Sequence, residues 1–215
     1  MEKEHAGFPE SSVIGLTGGI GSGKSTAGSF LARLESVYYI SADKVGRKLL
    51  EPGEAGWLAL RESFGSKYFR TDQTVDRKLL RSSIFQDSTL RRQVNTMLHP
   101  LIREEIWRQI RIEQDRGMRG VFVVEVPLLF ETGWDNDFVA VVVINADREV
   151  CIERLTARDG LSREEIEAAM ASQWPLGDKV RLADHVIDNS GSLAETFTQL
   201  SLLGKNLVSD YGKNA

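Results

Sequence analysis

The residues with the clearest chemistry form a glycine-rich segment near the N-terminus. Residues 18–25 read Gly-Gly-Ile-Gly-Ser-Gly-Lys-Ser, a complete match to the phosphate-binding pattern G-x-x-x-x-G-K-[ST]. In such a loop the glycines let backbone N–H groups turn inward and form a nest for anions. The helix that follows adds the positive end of its dipole. The segment therefore predicts a binding site for a nucleoside triphosphate.

The side chains of this P-loop have separate expected roles. We expect Lys24 to reach the β- and γ-phosphates and Ser25 to bind Mg²⁺, so ATP with Mg²⁺ is the predicted ligand. The alternative, a glycine-rich turn that binds nothing, does not account for the Lys-Ser pair at this spacing. The residues predicted to contact the nucleotide are Gly19, Ile20, Gly21, Ser22, Gly23, Lys24, Ser25 and Thr26.

The elements around the loop would hold it in place. An apolar run at 13–17 predicts a buried strand before it, and residues 26–34 predict a helix after it. Four further runs, at 37–41, 121–126, 139–144 and 185–187, predict the other strands of a parallel sheet. Strands alternating with helices indicate a doubly wound α/β fold, here a P-loop NTPase three-layer sandwich with a five-stranded parallel sheet.

Two long connections divide this sheet into regions. Residues 42–120 separate strands two and three, whereas a crossover needs only about a dozen residues. We therefore predict a helical, substrate-binding insertion there, with helices near 44–50, 54–64, 76–85, 88–98 and 100–115 and a helix start at His99-Pro100. Residues 145–183 predict a small lid. In it Asp147 can cap a helix that runs to about Arg158, Asp159-Gly160 ends that helix, and Ser162 opens a capping box for the next one. The core would comprise 13–41, 121–144 and 184–210, and residues 1–12 a flexible tail.

A carboxylate follows the second strand. Ligands of open α/β sheets bind at the carboxyl ends of the strands, so we expect Asp43 to lie near the γ-phosphate. There it could accept the proton of an attacking hydroxyl, as the catalytic aspartate of protein kinases does. The alternative is that Asp43 only caps the helix after it, and the two roles are compatible.

Three arginines lie in or beside the predicted lid. A lid that carries Arg154, Arg158 and Arg163 could neutralise charge on a transferring phosphoryl group and exclude water. Arg154 and Arg158 are four residues apart and share one helix face. The alternative is a solvated face with a local Arg158–Asp159 pair.

Composition excludes several classes of protein. The chain has 215 residues and a net charge of −4, and its basic residues are scattered, so we expect no nucleic-acid partner. No apolar run approaches the roughly 20 residues of a membrane span. The single cysteine, Cys151, rules out a disulfide framework, reads as a core residue and suits a cytoplasmic protein. The sequence does not determine the oligomeric state, and we expect a monomer.

Other P-loop classes fit less well than a small-molecule kinase. Residues 43–46 match the D-x-x-G pattern of regulatory GTPases, but they follow the P-loop too soon and no N-K-x-D motif comes after them. A DNA-dependent ATPase would have basic stripes. A small-metabolite or nucleotide kinase of another specificity stays open as the alternative.

Several longer segments identify a protein family more specifically than the P-loop does. Through them the chain resembles the dephospho-CoA kinases, from residue 13 to about residue 203. They are residues 15–26, Ala42-Asp43 with Arg47, Glu51-Pro52-Gly53, 98–102 with His99, 126–131 with Pro127 and Leu128, 153–160, Gln173 with Pro175-Leu176, and 183–189 with Asn189.

This resemblance implies a reaction and a set of roles. The reaction would be ATP-dependent phosphorylation of the ribose 3′-hydroxyl of dephospho-CoA to CoA and ADP, the final step of coenzyme A synthesis. Asp43 would activate or orient that hydroxyl, and Arg154 with Arg158 would act from the lid. Arg47, His99, Pro127 and Leu128 would lie on the acceptor side, and Asn189 near the adenine.

The chain departs from the family pattern at two positions. The family usually has Asp-Ala-Asp after strand two, where this chain has Ser41-Ala42-Asp43. The loss of the first carboxylate could weaken a water-mediated contact to Mg²⁺, although Ser41 can still form hydrogen bonds. Many members also carry an arginine four residues before Gln173, where this chain has Ala169.

Overall fold

The computed structural model describes residues 12–212, apart from the side chain of Phe85. These residues divide into two compact units. One, here called the core unit, comprises residues 12–41 and 114–212, and the other, the insertion unit, is Ala42–Glu113. The predicted tail, residues 1–12, lies outside the described residues except for Ser12, which already belongs to the first strand.

The core unit contains a five-stranded parallel sheet, which confirms the predicted fold. Its strands are β1 (Ser12–Gly18), β2 (Val37–Ser41), β3 (Val121–Glu125), β4 (Ala140–Asn145) and β5 (His185–Asp188), in the order β2-β3-β1-β4-β5. Every residue of β1 and β3 is buried, as near-continuous apolar strands covered on both faces should be.

Helices connect the strands and complete both units. In chain order the described α-helices are α1 (Lys24–Leu31), α2 (Ala42–Leu49), α3 (Ala55–Phe64), α4 (Arg77–Gln86), α5 (Ser88–Asp115), α6 (Arg148–Asp159), α7 (Arg163–Ala171), α8 (Leu176–Leu182) and α9 (Leu193–Tyr211). Leu31 of α1 and Leu200 and Leu207 of α9 are buried in the same cluster as Leu16 of β1 and Val142 of β4. This cluster anchors the helix that follows the P-loop to the sheet.

The insertion unit is helical, as predicted, but one predicted boundary is wrong. The sequence predicted a new helix at His99-Pro100, whereas α5 runs unbroken from Ser88 to Asp115 with Pro100 inside it. Pro100 lacks the N–H that would bond to the preceding turn, which normally weakens a helix there. Leu98 and Ile102, on either side of it, pack in one apolar cluster. Tertiary packing on a continuous face therefore outweighs the local penalty.

The helices of the predicted lid begin and end at the expected residues. Helix α6 ends at Asp159, and Gly160 follows with a left-handed φ of 67°. Asp147 takes the N-cap position of α6, although its side chain makes no capping bond. The side chain of Ser162 accepts from the N–H of Glu165 in a complete capping box at the start of α7.

Candidate active site

The P-loop lies between β1 and α1 and depends on glycine at two close approaches. Gly21 has φ 78°, and a Cβ there would lie 2.9 Å from the carbonyl oxygen of Cys151. Gly23 is the N-cap of α1 with φ 93°, and a Cβ there would lie 2.3 Å from Nδ2 of Asn189. Larger residues would therefore displace the loop from α6 and from the segment after β5.

The two polar side chains that follow the glycines make specific contacts. Lys24 Nζ donates to the carbonyl oxygen of Gly19 at 2.8 Å and so closes the loop on itself. Ser25 Oγ donates to Glu125 Oε1 at 2.8 Å. The structure adds Glu125 as the partner of Ser25, and the roles of Lys24 and Ser25 toward phosphates and Mg²⁺ stay predictions.

Glu125 also belongs to this site, although the sequence assigned it no specific role. It is the last residue of β3 and is paired in register with Leu16 of β1 and Ser41 of β2. The carboxyl group is only 3% exposed, and its second oxygen accepts from the hydroxyl of Tyr39. A charged residue that ends an otherwise apolar buried strand was the available signal, because burying a carboxylate requires partners.

The oxygens at this point fit a magnesium ion. Mg²⁺ prefers hard oxygen ligands and is usually held by one or two carboxylates together with substrate phosphates and water. Ser25 and Glu125 supply a hydroxyl and a carboxylate whose oxygens are 2.8 Å apart. Within residues 12–212 no group of three or more acidic, histidine or cysteine side chains could hold a metal unaided. One hydroxyl and one carboxylate are a donor set that suits a metal bound together with the phosphates of a nucleotide.

Asn189 supports the P-loop from the segment after β5. Its side-chain nitrogen donates to the carbonyl oxygen of Ser22 at 2.8 Å, and its side-chain oxygen accepts from the hydroxyl of Thr196 at 2.8 Å. The residue is only 4% exposed. Both ends of the amide are used within the protein, which makes Asn189 a support for the loop, and its contact with adenine stays a prediction.

Of the three lid arginines, Arg154 is the one that contacts Asn189, the residue that supports the P-loop. Its Nη2 donates to the carbonyl oxygen of Asn189 at 2.9 Å. Its Nη1 is buried and has no hydrogen-bond partner among the described residues. A buried guanidinium nitrogen with donors to spare is suited to bind an anion.

The other two lid arginines are in surface ion pairs. Arg158 donates two hydrogen bonds to Asp159, at 2.8 and 2.7 Å, and these bonds raise the pKa of Arg158 above its usual value. Arg163 donates to Glu149 and to Glu167. The Arg158 contact is the local pair that the sequence offered as the alternative. Any role of Arg158 in nucleotide binding stays a prediction.

Three of the predicted site residues belong to the insertion unit. Helix α2 begins at Ala42 and carries Asp43 in its first turn. Asp43 and Arg47 are exposed, and the carbonyl oxygen of Arg47 accepts from Arg77 at 3.0 Å. His99 is half-buried in α5, and burial lowers the pKa of its imidazole.

Pro127 and Leu128 lie in the turn that follows β3. The carbonyl oxygen of Pro127 accepts from the hydroxyl of Thr17 at 3.3 Å, which ties this turn to the end of β1. The carbonyl oxygen of Leu128 accepts from Thr132. The structure therefore brings this predicted acceptor segment to the same sheet edge as the P-loop.

A cavity of about 530 Å³ opens beside the P-loop within the core unit. Gly19 and Ile20 of the loop line one side, and the rest is lined by residues 145–147 at and after the end of β4, by α6 and α7, and by residues 173–176, which lead into α8. Cys151 is among them and is 2% exposed, and burial raises the pKa of its thiol. This confirms the prediction of Cys151 as a core residue and argues against a reactive thiolate.

No helix in the described part of the chain is long and apolar enough to cross a membrane.

Comparison with known proteins agrees with this geometry. A sequence model of the dephospho-CoA kinase family matches residues 12–195. A curated dephospho-CoA kinase from Symbiobacterium thermophilum is 42% identical over 188 residues, covering 87% of this chain and 78% of that protein.

Solved structures give the same result for the fold. A Thermus thermophilus protein superposes with a TM-score of 0.76 at 29% identity, covering 92% of this chain and 98% of that one. The dephospho-CoA kinase from Campylobacter jejuni superposes with a TM-score of 0.63 at 27% identity, covering 93% and 99%.

Proposed function

The chain belongs to the dephospho-CoA kinase family, and we propose that it transfers the γ-phosphoryl group of ATP to the ribose 3′-hydroxyl of dephospho-CoA. The products are CoA and ADP, and the reaction is the final step of coenzyme A synthesis. The observation that carries this proposal is a complete P-loop whose serine bonds to a buried carboxylate, in a chain that the family model matches over residues 12–195.

The donor site is built from the P-loop. Its inward N–H groups and the N-terminus of α1 bind the phosphates of ATP. The ammonium group of Lys24, now bonded to the carbonyl oxygen of Gly19, lies within reach of the β- and γ-phosphates. On the α-phosphate side we propose a contact from Thr26.

Ser25 and Glu125 would hold a magnesium ion on the same phosphates. The hydroxyl oxygen of Ser25 and the carboxylate of Glu125, which the hydroxyl of Tyr39 holds in place, would be the protein groups that hold the ion. When bound, Mg²⁺ neutralises charge on the β- and γ-phosphates. The two protein oxygens already lie together, which supports this assignment.

The acceptor side is assigned to residues that match the family motifs. The Asp43 carboxylate accepts the proton of the 3′-hydroxyl as that oxygen bonds to the γ-phosphorus and the bond from phosphorus to the β–γ bridging oxygen breaks. Arg47, His99, Pro127 and Leu128 bind dephospho-CoA. The exposure of Asp43 and Arg47 on α2 supports roles in contacting a substrate.

Arg154 stabilises charge in the transition state. Its Nη2 is fixed by the carbonyl oxygen of Asn189, and its buried Nη1 has donors left for a phosphate oxygen. Preorganised donors of this kind contribute large rate effects because they need no reorganisation during the reaction. We propose a smaller role for Arg158, whose partner is Asp159.

Cellular location and oligomeric state are also part of the proposed function. We propose that the protein acts as a monomer in the cytoplasm. The single cysteine of the chain supports a reducing compartment, because disulfide frameworks are typical of oxidising ones.

An acceptor panel tests the reaction directly. ADP release is measured with Mg·ATP and, in turn, dephospho-CoA, shikimate, nucleoside monophosphates or water alone. We expect fast release with dephospho-CoA only. Fast release with another acceptor would support the alternative, a P-loop kinase of different specificity, and slow release without any acceptor would contradict a kinase.

A further inference from the structure

An ion pair is buried in the core unit close to the turn after β3. Lys179 of α8 is completely buried, and its Nζ lies 2.6 Å from Glu131 Oε1 and 3.4 Å from the carbonyl oxygen of Pro127. The Glu131 side chain is 13% exposed. Buried pairs lose much of their attraction to desolvation, so stability alone is weak grounds for having one. What matters about the pair is therefore the position in which it holds α8 and the chain before that helix.

Glu131 connects this pair to the chain that enters α8. The same Oε1 accepts from the backbone N–H of Trp174 at 3.0 Å. The other oxygen, Oε2, is buried and has no hydrogen-bond partner among the described residues. One carboxylate oxygen thus holds both α8, through Lys179, and the backbone directly after Gln173.

Gln173 in turn contacts the P-loop. Its side-chain oxygen accepts from the backbone N–H of Ile20 at 3.1 Å. Leu176, the first residue of α8, lies against the neighbouring residue of the loop, 3.5 Å from where a Cβ on Gly19 would be. A continuous set of contacts therefore runs from Lys179 through Glu131 and Gln173 to the first half of the P-loop.

The hydrogen bond from the N–H of Ile20 to Gln173 matters for phosphate binding. The N–H of Ile20 donates to Gln173 and not to a phosphate oxygen, so this bond fixes the backbone of the first half of the loop, next to the N–H groups that form the phosphate nest. The same planar amide of Gln173 carries an NH₂ group that can donate to a terminal phosphate oxygen. We infer that Lys179 and Glu131 are positioning residues, which hold Gln173 on the P-loop and thereby strengthen ATP binding. This inference rests on the proposed function, because it concerns the same donor site.

Nucleotide binding without an acceptor tests the inference. The affinity for a non-hydrolysable ATP analogue with Mg²⁺ is measured by calorimetry. We expect Gln173→Ala to weaken it about fivefold, the effect of one hydrogen bond. The double variant Lys179→Met/Glu131→Gln leaves no lone buried charge and should weaken it by a similar factor. The triple variant should bind the analogue no more weakly than Gln173→Ala or the double variant does.

Steady-state kinetics and a control variant, which removes an exposed ion pair from the same helix, complete the test. In Gln173→Ala the KM for ATP should rise while the KM for dephospho-CoA stays constant. The control is Asp178→Asn/Arg181→Met, which removes an ion pair from α8 whose side chains are 44% and 79% exposed. It should leave the affinity for the analogue unchanged.

Two results would overturn the inference. One is wild-type affinity for the analogue in Gln173→Ala, which leaves no buried charge and so stays informative if the double variant does not fold. The other is a double variant whose effect adds fully to that of Gln173→Ala, because residues that act through Gln173 cannot do so in its absence. Since binding requires no acceptor, failure of the dephospho-CoA reaction would leave this test intact.

Discussion

The core unit and the insertion unit bury different kinds of side chain. Within the described residues, eight buried polar or charged side chains belong to the core unit, among them Glu125, Lys179 and Asn189, whereas the insertion unit buries the hydroxyl of Tyr68. The buried residues of the insertion unit form an apolar cluster that includes Leu60, Tyr68 and Val94. The charged residues assigned to the acceptor, such as Asp43 and Arg47, are exposed.

This difference suggests two ways of building a substrate site. Buried polar groups must have their partners in fixed positions, because an unpaired one is costly in a low-dielectric interior. The core unit can therefore hold a rigid nest for phosphates, whose geometry is the same for every nucleotide. Exposed charges on helices have no such restriction, which would suit the role proposed for the insertion unit, the binding and release of a larger acceptor. Variants in the two units should consequently affect different kinetic parameters.

The largest effect is expected for Lys24→Ala in the core unit. The γ-phosphate loses its cation and the carbonyl oxygen of Gly19 loses its partner, so kcat/KM should fall by about 10²–10³. Binding of dephospho-CoA, measured without ATP, should not change. The control is Lys205→Ala, which removes an exposed lysine from α9. Near-normal turnover in folded Lys24→Ala would contradict the assignment of the donor site.

A somewhat smaller effect is expected for Asp43→Asn in the insertion unit. The amide keeps the shape of the side chain but cannot accept a proton, so kcat should fall about 10²-fold while both KM values stay close to those of the wild type. Glu62→Gln, which neutralises another exposed carboxylate of the same unit, is the control. If kcat is retained and only the KM for dephospho-CoA rises, Asp43 is a binding residue.

The sequence predicted the core unit well because its signals are local. The P-loop motif specifies a loop between a strand and a helix, and fully buried strands read as apolar runs, so the five strands were found within one or two residues. Gly160 and Ser162 likewise marked the end and start of helices through their own backbone chemistry. Local features of this kind need no knowledge of the tertiary structure.

The contacts that depend on tertiary structure were not predictable in the same way. The bond from Ser25 to Glu125 joins residues a hundred positions apart, and it follows from the register between β1 and β3. The support of Ser22 by Asn189 and the buried pair of Lys179 with Glu131 are equally distant in sequence. Pro100 misled the prediction because packing on both sides of it overrides the local preference.

The smallest expected effect concerns the stability of the insertion unit. Burial lowers the pKa of His99 from its usual value of 6.5, so at mildly acid pH the unfolded chain binds a proton that the folded protein does not. The free energy of unfolding should therefore fall as the pH drops below about 6.5, until the folded state is also protonated. The carboxyl groups of Asp72, Asp76 and Asp87, whose pKa values are lowered by hydrogen bonds, titrate below 3.8 and lie outside this window.

Replacing the imidazole isolates this contribution. Thermal unfolding of the wild type and of His99→Gln is followed at pH 7.5 and 5.5, and the midpoint of the wild type should fall more on acidification than that of the variant. Equal shifts in the two proteins would show that the folded and unfolded states hold the His99 proton equally.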